Sequence, residues 1–62
     1  MVNIKTIKKF EGKYITVTYG ENSVVGDLTD IDPENETITV EWNEGFMIVH
    51  FSMIDGIELG KK

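Results

Sequence analysis

His50 is the only histidine in the chain, and Ser52 follows two residues later. In a strand, side chains two apart share a face, so this spacing sets a hydroxyl beside an imidazole. That is the start of a nucleophile and its base. A triad also needs an orienting acid and an oxyanion hole. Asp55 is the acid nearest to hand, but no cysteine and no glycine-framed nucleophile accompanies the pair. The expectation is a non-enzyme, with His50 at a surface or interface.

Two other patterns touch on chemistry. Asp30-x-Asp32-x-Glu34, with Glu41 beyond, places carboxylates at positions 1, 3, 5 and 12 of an EF-hand register. Position 6 is Asn35 rather than Gly, Pro33 stiffens the stretch, and the strand formers Ile38 and Val40 occupy what should be loop. A solvated acidic turn is expected, with no metal and no cofactor. Tyr14, Tyr19, Trp42 and Phe46 are aromatic residues of the kind that stack bases. Single-strand binding also needs a cationic groove, and no Lys or Arg lies between residues 14 and 60. Trp42 ends the Ile38/Val40 face and is expected in the core.

The charge is sorted along the chain. The six basic residues are Lys5, Lys8, Lys9, Lys13, Lys61 and Lys62, all near the ends, and the net charge is -5. Ten of the 11 acids fall between Glu21 and Glu58. An acidic body repels phosphate and suits a basic partner. Its surface is expected to include Asp30, Asp32, Glu34, Glu36, Glu41 and Glu44.

The elements that carry these residues are short. Ile4, Ile7 and Phe10 suit one to two helical turns opposite Lys5, Lys8 and Lys9, although the Val2/Ile4 alternation also fits the start of a strand. Tyr14–Tyr19 alternates as a strand, with Ile15, Val17 and Tyr19 on one face. Residues 24–32 form a second strand whose phase slips. Val24, Gly26 and Leu28 agree, but Ile31 falls on the wrong face unless a bulge lies near Asp27–Asp30. Asp32-Pro33-Glu34-Asn35 is a type I turn. Ile38, Val40 and Trp42 define a third strand. Asn43-Glu44-Gly45 is a three-residue hairpin loop, with Gly45 supplying a positive φ. Phe46–Phe51 is the fourth strand and the most apolar stretch. Met47, Val49 and Phe51 line one face; Phe46, Ile48 and His50 line the other. A last strand runs about Ile54–Leu59.

Five such strands make a mainly β domain, a small, strongly bent antiparallel barrel of Sm-like or SH3-like type with a short N-terminal helix. Residues 1–62 form one domain, with an N-terminal segment at 1–12 and the barrel at 13–59. A core of this size supplies only about 3–5 kcal/mol. With no cysteine for disulfides or zinc, self-association is the remaining common aid. The fourth strand, apolar on both faces, needs cover from the N-terminal segment or from another chain. No long apolar run suggests a signal peptide or membrane span, and the cytoplasm is the expected compartment.

Gly12-x-x-Ile15-x-Val17, Val24-x-Gly26-x-Leu28-x-x-Ile31-Asp32 and Ile54-Asp55-Gly56-Ile57 resemble the layout of the two Sm-like motifs. That resemblance implies a small barrel. Where RNA-binding members carry Asn and a basic residue, this chain has Glu36 and Asp55. Ile15-Thr16-Val17-Thr18-Tyr19, Gly26-x-Leu28-x-x-Ile31-Asp32-Pro33, Thr37-Ile38-Thr39-Val40 and Val49-x-Phe51-x-x-Ile54-x-x-Ile57 resemble the YolD-like family. Those are small β-proteins of Gram-positive bacteria and their phages and plasmids, proposed as non-catalytic partners of Y-family DNA polymerases. The match spans about residues 14–58, and it implies a protein partner that handles DNA.

The functional expectation is therefore a protein-binding module that forms a homo-oligomer through Phe46, Ile48 and His50 and engages a basic partner. The rival is an Sm-like nucleic-acid-binding oligomer that uses the N-terminal lysines.

Overall fold

A computed structural model describes residues 3–61. Met1, Val2 and Lys62, and with them the Val2 position of the N-terminal apolar pattern, lie outside the described residues. The chain runs through helix α1 (Ile4–Lys8) and strands β1 (Tyr14–Tyr19), β2 (Asn22–Asp32), β3 (Thr37–Trp42) and β4 (Gly45–His50). A 3-10 turn (Phe51–Met53) then leads into β5 (Gly56–Leu59). All five strands belong to one antiparallel sheet in the order β4-β3-β2-β1-β5.

Period-two alternation builds the core. Ile15 and Val17 of β1, Leu28 of β2, Ile38 and Val40 of β3 and Val49 of β4 are buried on one face. The sheet curls over them. The Tyr19 hydroxyl donates to Met47 Sδ at 3.5 Å, although β2 and β3 separate their strands in the sheet. The open side is filled by α1 and by the 3-10 turn with the residue after it, which contribute Ile7, Phe51 and Ile54 to the same cluster. Five residues are too few for a helix to stand alone in water. Packing of Ile7 holds α1, and Asn3 caps it by accepting from the Thr6 N–H at 3.0 Å.

The bend in β2 makes the curl. The β2–β3 register shifts between Leu28 and Asp30, leaving Thr29 as the extra residue of a bulge. This restores Ile31 to the phase that places it opposite Ile38, as the sequence required. Just before the bulge, Gly26 lies so close to β3 that an added Cβ would meet the Glu41 carbonyl oxygen at 2.5 Å.

Several expectations need correction. Main-chain pairing does not close the sheet into a barrel. β5 is four residues long and pairs with β1, so β4 and β5 remain as edges. The fourth strand stops at His50, and Phe51 reaches the core from the 3-10 turn instead. Trp42 pairs with Gly45, so the β3–β4 loop has two residues, Asn43 and Glu44. Gly45 does not take a positive φ; Gly12, Gly20 and Glu36 do. Gly20 opens the two-residue loop between β1 and β2, the position where a type II′ turn requires glycine.

Glu36 is the strained position, with φ 58°. It closes the β2–β3 turn, and its carbonyl accepts from the Phe51 N–H at 2.7 Å. A left-handed conformation disfavours any residue with a Cβ. Glu36→Gly is expected to stabilise the protein by about 0.5–1 kcal/mol after the added freedom of glycine in the unfolded chain is counted. A thermal melt checks this: the midpoint should rise by a few degrees, and a lower midpoint would contradict the assignment.

Candidate interaction surface

β4 is an edge strand with one face in the core and one outside. Val49 is buried and Met47 is half-buried against the core. Phe46 and Ile48 point the other way and are 62% and 58% exposed. Their cross-strand neighbours on β3 are Glu41 and Thr39, and Thr37 faces His50. None of these three covers an aromatic ring or a branched chain with apolar surface. Helix α1 does not cover them either, because its apolar side is committed to the core through Ile7, with Ile4 and Phe10 packed alongside. Among the described residues, the apolar pair on the outer face of β4 stands exposed beside a strand edge whose main-chain groups no other strand takes.

His50 ends the same strand. Its Nδ1 lies 2.8 Å from Ser52 Oγ and accepts from the Ser52 N–H at 3.1 Å. The spacing that suggested a nucleophile and base thus gives a helix cap: the imidazole starts the 3-10 turn. Asp55, the acid that a triad would need, is engaged elsewhere. Its Oδ2 accepts from the Gly20 N–H at 2.6 Å, and its own N–H donates to the Thr18 carbonyl at 2.8 Å. These bonds tie the approach to β5 onto the β1–β2 hairpin.

The six acids gather around β4. Asp30 and Asp32 sit on β2 opposite Thr39 and Thr37 of β3, and Glu41 sits on β3 opposite Phe46. Glu34 and Glu36 occupy the turn beyond β2, and Glu44 the turn before β4. All but the half-buried Asp32 are exposed. The acids therefore frame Phe46, Ile48 and His50 at both ends of the strand and along its β3 side.

Asp32 has the most structured carboxylate. Its Oδ2 accepts from Asn35 Nδ2 at 2.8 Å, and its Oδ1 accepts from the N–H groups of Asn35 and Glu34, both at 3.1 Å. The Asn35 amide, then the Asn35 N–H and, more weakly, the Glu34 N–H hold its pKa below the ordinary carboxylate value. This group's contribution to stability is therefore present above the unfolded pKa of about 3.9 and is lost as pH falls through the lower folded value. Among the described residues, no group of three or more His, Cys, Asp or Glu side chains could hold a metal ion. No helix among them is long and apolar enough to cross a membrane.

Other exposed apolar residues escaped the sequence pattern. Trp42 is 40% exposed, because it lies at the last position of β3, beyond the core layer. Leu59 at the end of β5 and Met53 at the end of the 3-10 turn are also exposed. A strand's terminal position could have flagged Trp42, since period two says which face a residue takes and not whether anything lies above it.

Comparison of the chain with family models, with curated proteins and with solved structures finds no match.

Proposed function

We propose that this protein is a non-catalytic binding module that self-associates through the β4 edge and engages a basic protein partner with the surrounding acids. The observation that carries this reading is the exposure of Phe46 and Ile48 on a free edge strand. Exposed apolar edges are ordinarily blunted by charge, proline or cover, and an edge left open is a site where another strand can add. We read the curled sheet as a small barrel of Sm-like or SH3-like kind left open along β4 and β5. The resemblance of the strand and turn residues to the YolD-like family is in keeping with a role as another protein's partner.

Magnitudes decide what kind of association this is. Covering Phe46 and Ile48 contributes roughly 1–2 kcal/mol each. Two copies facing each other then gain about 4–8 kcal/mol, against an association cost of about 4–15 kcal/mol. Side chains alone do not carry a tight dimer. Main-chain hydrogen bonds along the edge, each worth about 0.5–1.5 kcal/mol net, must supply the rest. Each copy also carries a charge of -5, so self-association should strengthen with salt while binding to a basic partner weakens.

Light scattering across a range of protein concentrations tests the reading. A multimer is expected for the native chain, and Ile48→Glu should be monomeric with an unchanged circular dichroism spectrum, because Ile48 lies outside the core. Native protein that stays monomeric throughout, or a multimer that survives Ile48→Glu, would overturn it.

A further inference from the structure

The ladder between β3 and β4 decides what the free edge offers. Just beyond β4, the Phe51 N–H donates to the Glu36 carbonyl at 2.7 Å. In an antiparallel pair, directly opposite residues alternate between exchanging both main-chain bonds and exchanging none. Counted in from Glu36 and Phe51, the bonded pairs are Ile38 with Val49, Val40 with Met47 and Trp42 with Gly45. The main-chain groups of Phe46, Ile48 and His50 therefore turn away from β3, toward the edge that no other strand takes among the described residues. The side chains of these same residues occupy the outer face.

Such an edge is its own complement. Two β4 strands related by a two-fold axis at Ile48 run antiparallel, with Ile48 facing the partner's Ile48 and Phe46 facing the partner's His50. Each outward-turned residue then faces another, and each facing pair exchanges two main-chain bonds. A slip of the register sets His50 against the loop at Glu44, or Phe46 against the 3-10 turn at Ser52. Side chains favour the same centred register. Ile48 meets a branched apolar chain, and Phe46 meets an imidazole that the Ser52 hydroxyl and N–H already hold in place. Glu41, opposite Phe46 on β3, then has the partner's imidazole next along its row rather than a second carboxylate. The other free edge fits less well, because a four-residue strand such as β5 turns outward the groups of only about two residues.

From this we infer that the occupant of the β4 edge is the β4 edge of a second copy, antiparallel and centred on Ile48. The inference deepens the binding-module reading and rests on its self-association. It adds the partner strand, the register and the size of the assembly. A contact of this symmetry uses the same surface on both copies, so it closes as a dimer and does not propagate.

Single cysteines test the register, because the chain has none of its own. Each variant is treated with oxidised glutathione at a concentration where light scattering has given the mass of the native chain. Facing Cα atoms of a bonded pair lie about 5.5 Å apart, within the span of a disulfide. Ile48→Cys is therefore expected to give a cross-linked dimer. Phe46→Cys should give none, because the two Phe46 positions are offset by four residues, about 13 Å. Phe46→Cys mixed with His50→Cys should give the mixed disulfide, with Ile48 left intact at the centre.

The native mass should be that of two copies. Cross-linking of Phe46→Cys alone, a larger native mass, or a native multimer in which neither Ile48→Cys nor the mixture cross-links would overturn the facing of two β4 strands. Each of these leaves self-association through β4 against another edge standing. A native monomer throughout would overturn both readings.

Discussion

Gly26→Ala is expected to remove about half or more of the protein's stability. The new methyl carbon would sit 2.5 Å from the Glu41 carbonyl oxygen and 3.0 Å from Val40 Cγ1. The side-chain contact could yield by a small shift. The carbonyl cannot, because β3 is held between β2 and β4 along its whole length. Relief requires β2 and β3 to separate next to the bulge that curls the sheet, with Leu28 and Val40 in the core beside it. Overpacking of this kind costs about 1–3 kcal/mol or more. Alanine's smaller unfolded-state entropy returns about 0.4–1 kcal/mol, which does not change the sign. A core of this size supplies about 3–5 kcal/mol in all. Urea unfolding followed by Trp42 fluorescence should show the midpoint reduced by half or more. A midpoint equal to the native one would mean that β2 does not approach β3 as described.

Ile7→Ala should be comparably damaging. Ile7 has no exposed surface and is the only fully buried residue of α1. Truncating a buried isoleucine costs about 2–5 kcal/mol, through lost transfer energy and the cavity left behind. Here a second loss is coupled to the first. Without that anchor, a five-residue helix has little to hold it, and Ile4 and Phe10 lose their place against the core. Lys8→Ala, on the exposed side of the same helix, should lie within about 0.5 kcal/mol of native. Denaturant midpoints for the two variants make the comparison. Equal, small effects would contradict the role of α1 as part of the core.

Much of the architecture was legible because period two is a strong signal where one face is buried. Ile15/Val17 and Ile38/Val40 announced β1 and β3. The misplaced phase of Ile31 announced the bulge before any register was known. Asp32 and Pro33 announced the turn, and the carboxylate bonds at Asn35 and Glu34 bear out its mechanism. The helix rested on three apolar positions alone, although Asn3, immediately before them, is a residue type that favours the cap it forms.

What failed depended on tertiary context. Phe51 continued the alternation of β4 in type but not in conformation, because the His50 ring offers its nitrogen to the Ser52 N–H and starts a turn. Gly45 is a reasonable residue for positive φ, yet the chain places that burden on Glu36, where the longer β2–β3 turn closes. Closure of the sheet could not be read from pattern at all, since it depends on which edges meet. The candidate surface divides in the same way. Phe46, Ile48 and His50 lie on the outer face of β4, where its alternation put them. The exposure of Trp42 depends on where the core layer ends, which alternation does not say.

The central claim is that β4 is an edge left open for another chain. Amide hydrogen exchange, resolved by segment and measured over a range of protein concentrations, tests it most directly. Exchange reports local opening and the pairing of main-chain N–H groups. Protection across Gly45–His50 should rise with concentration, while protection of β1, already paired on both sides, stays constant. If exchange in Gly45–His50 is fast at every concentration and β1 is protected as expected, no second chain adds to this edge, and self-association through β4 is wrong.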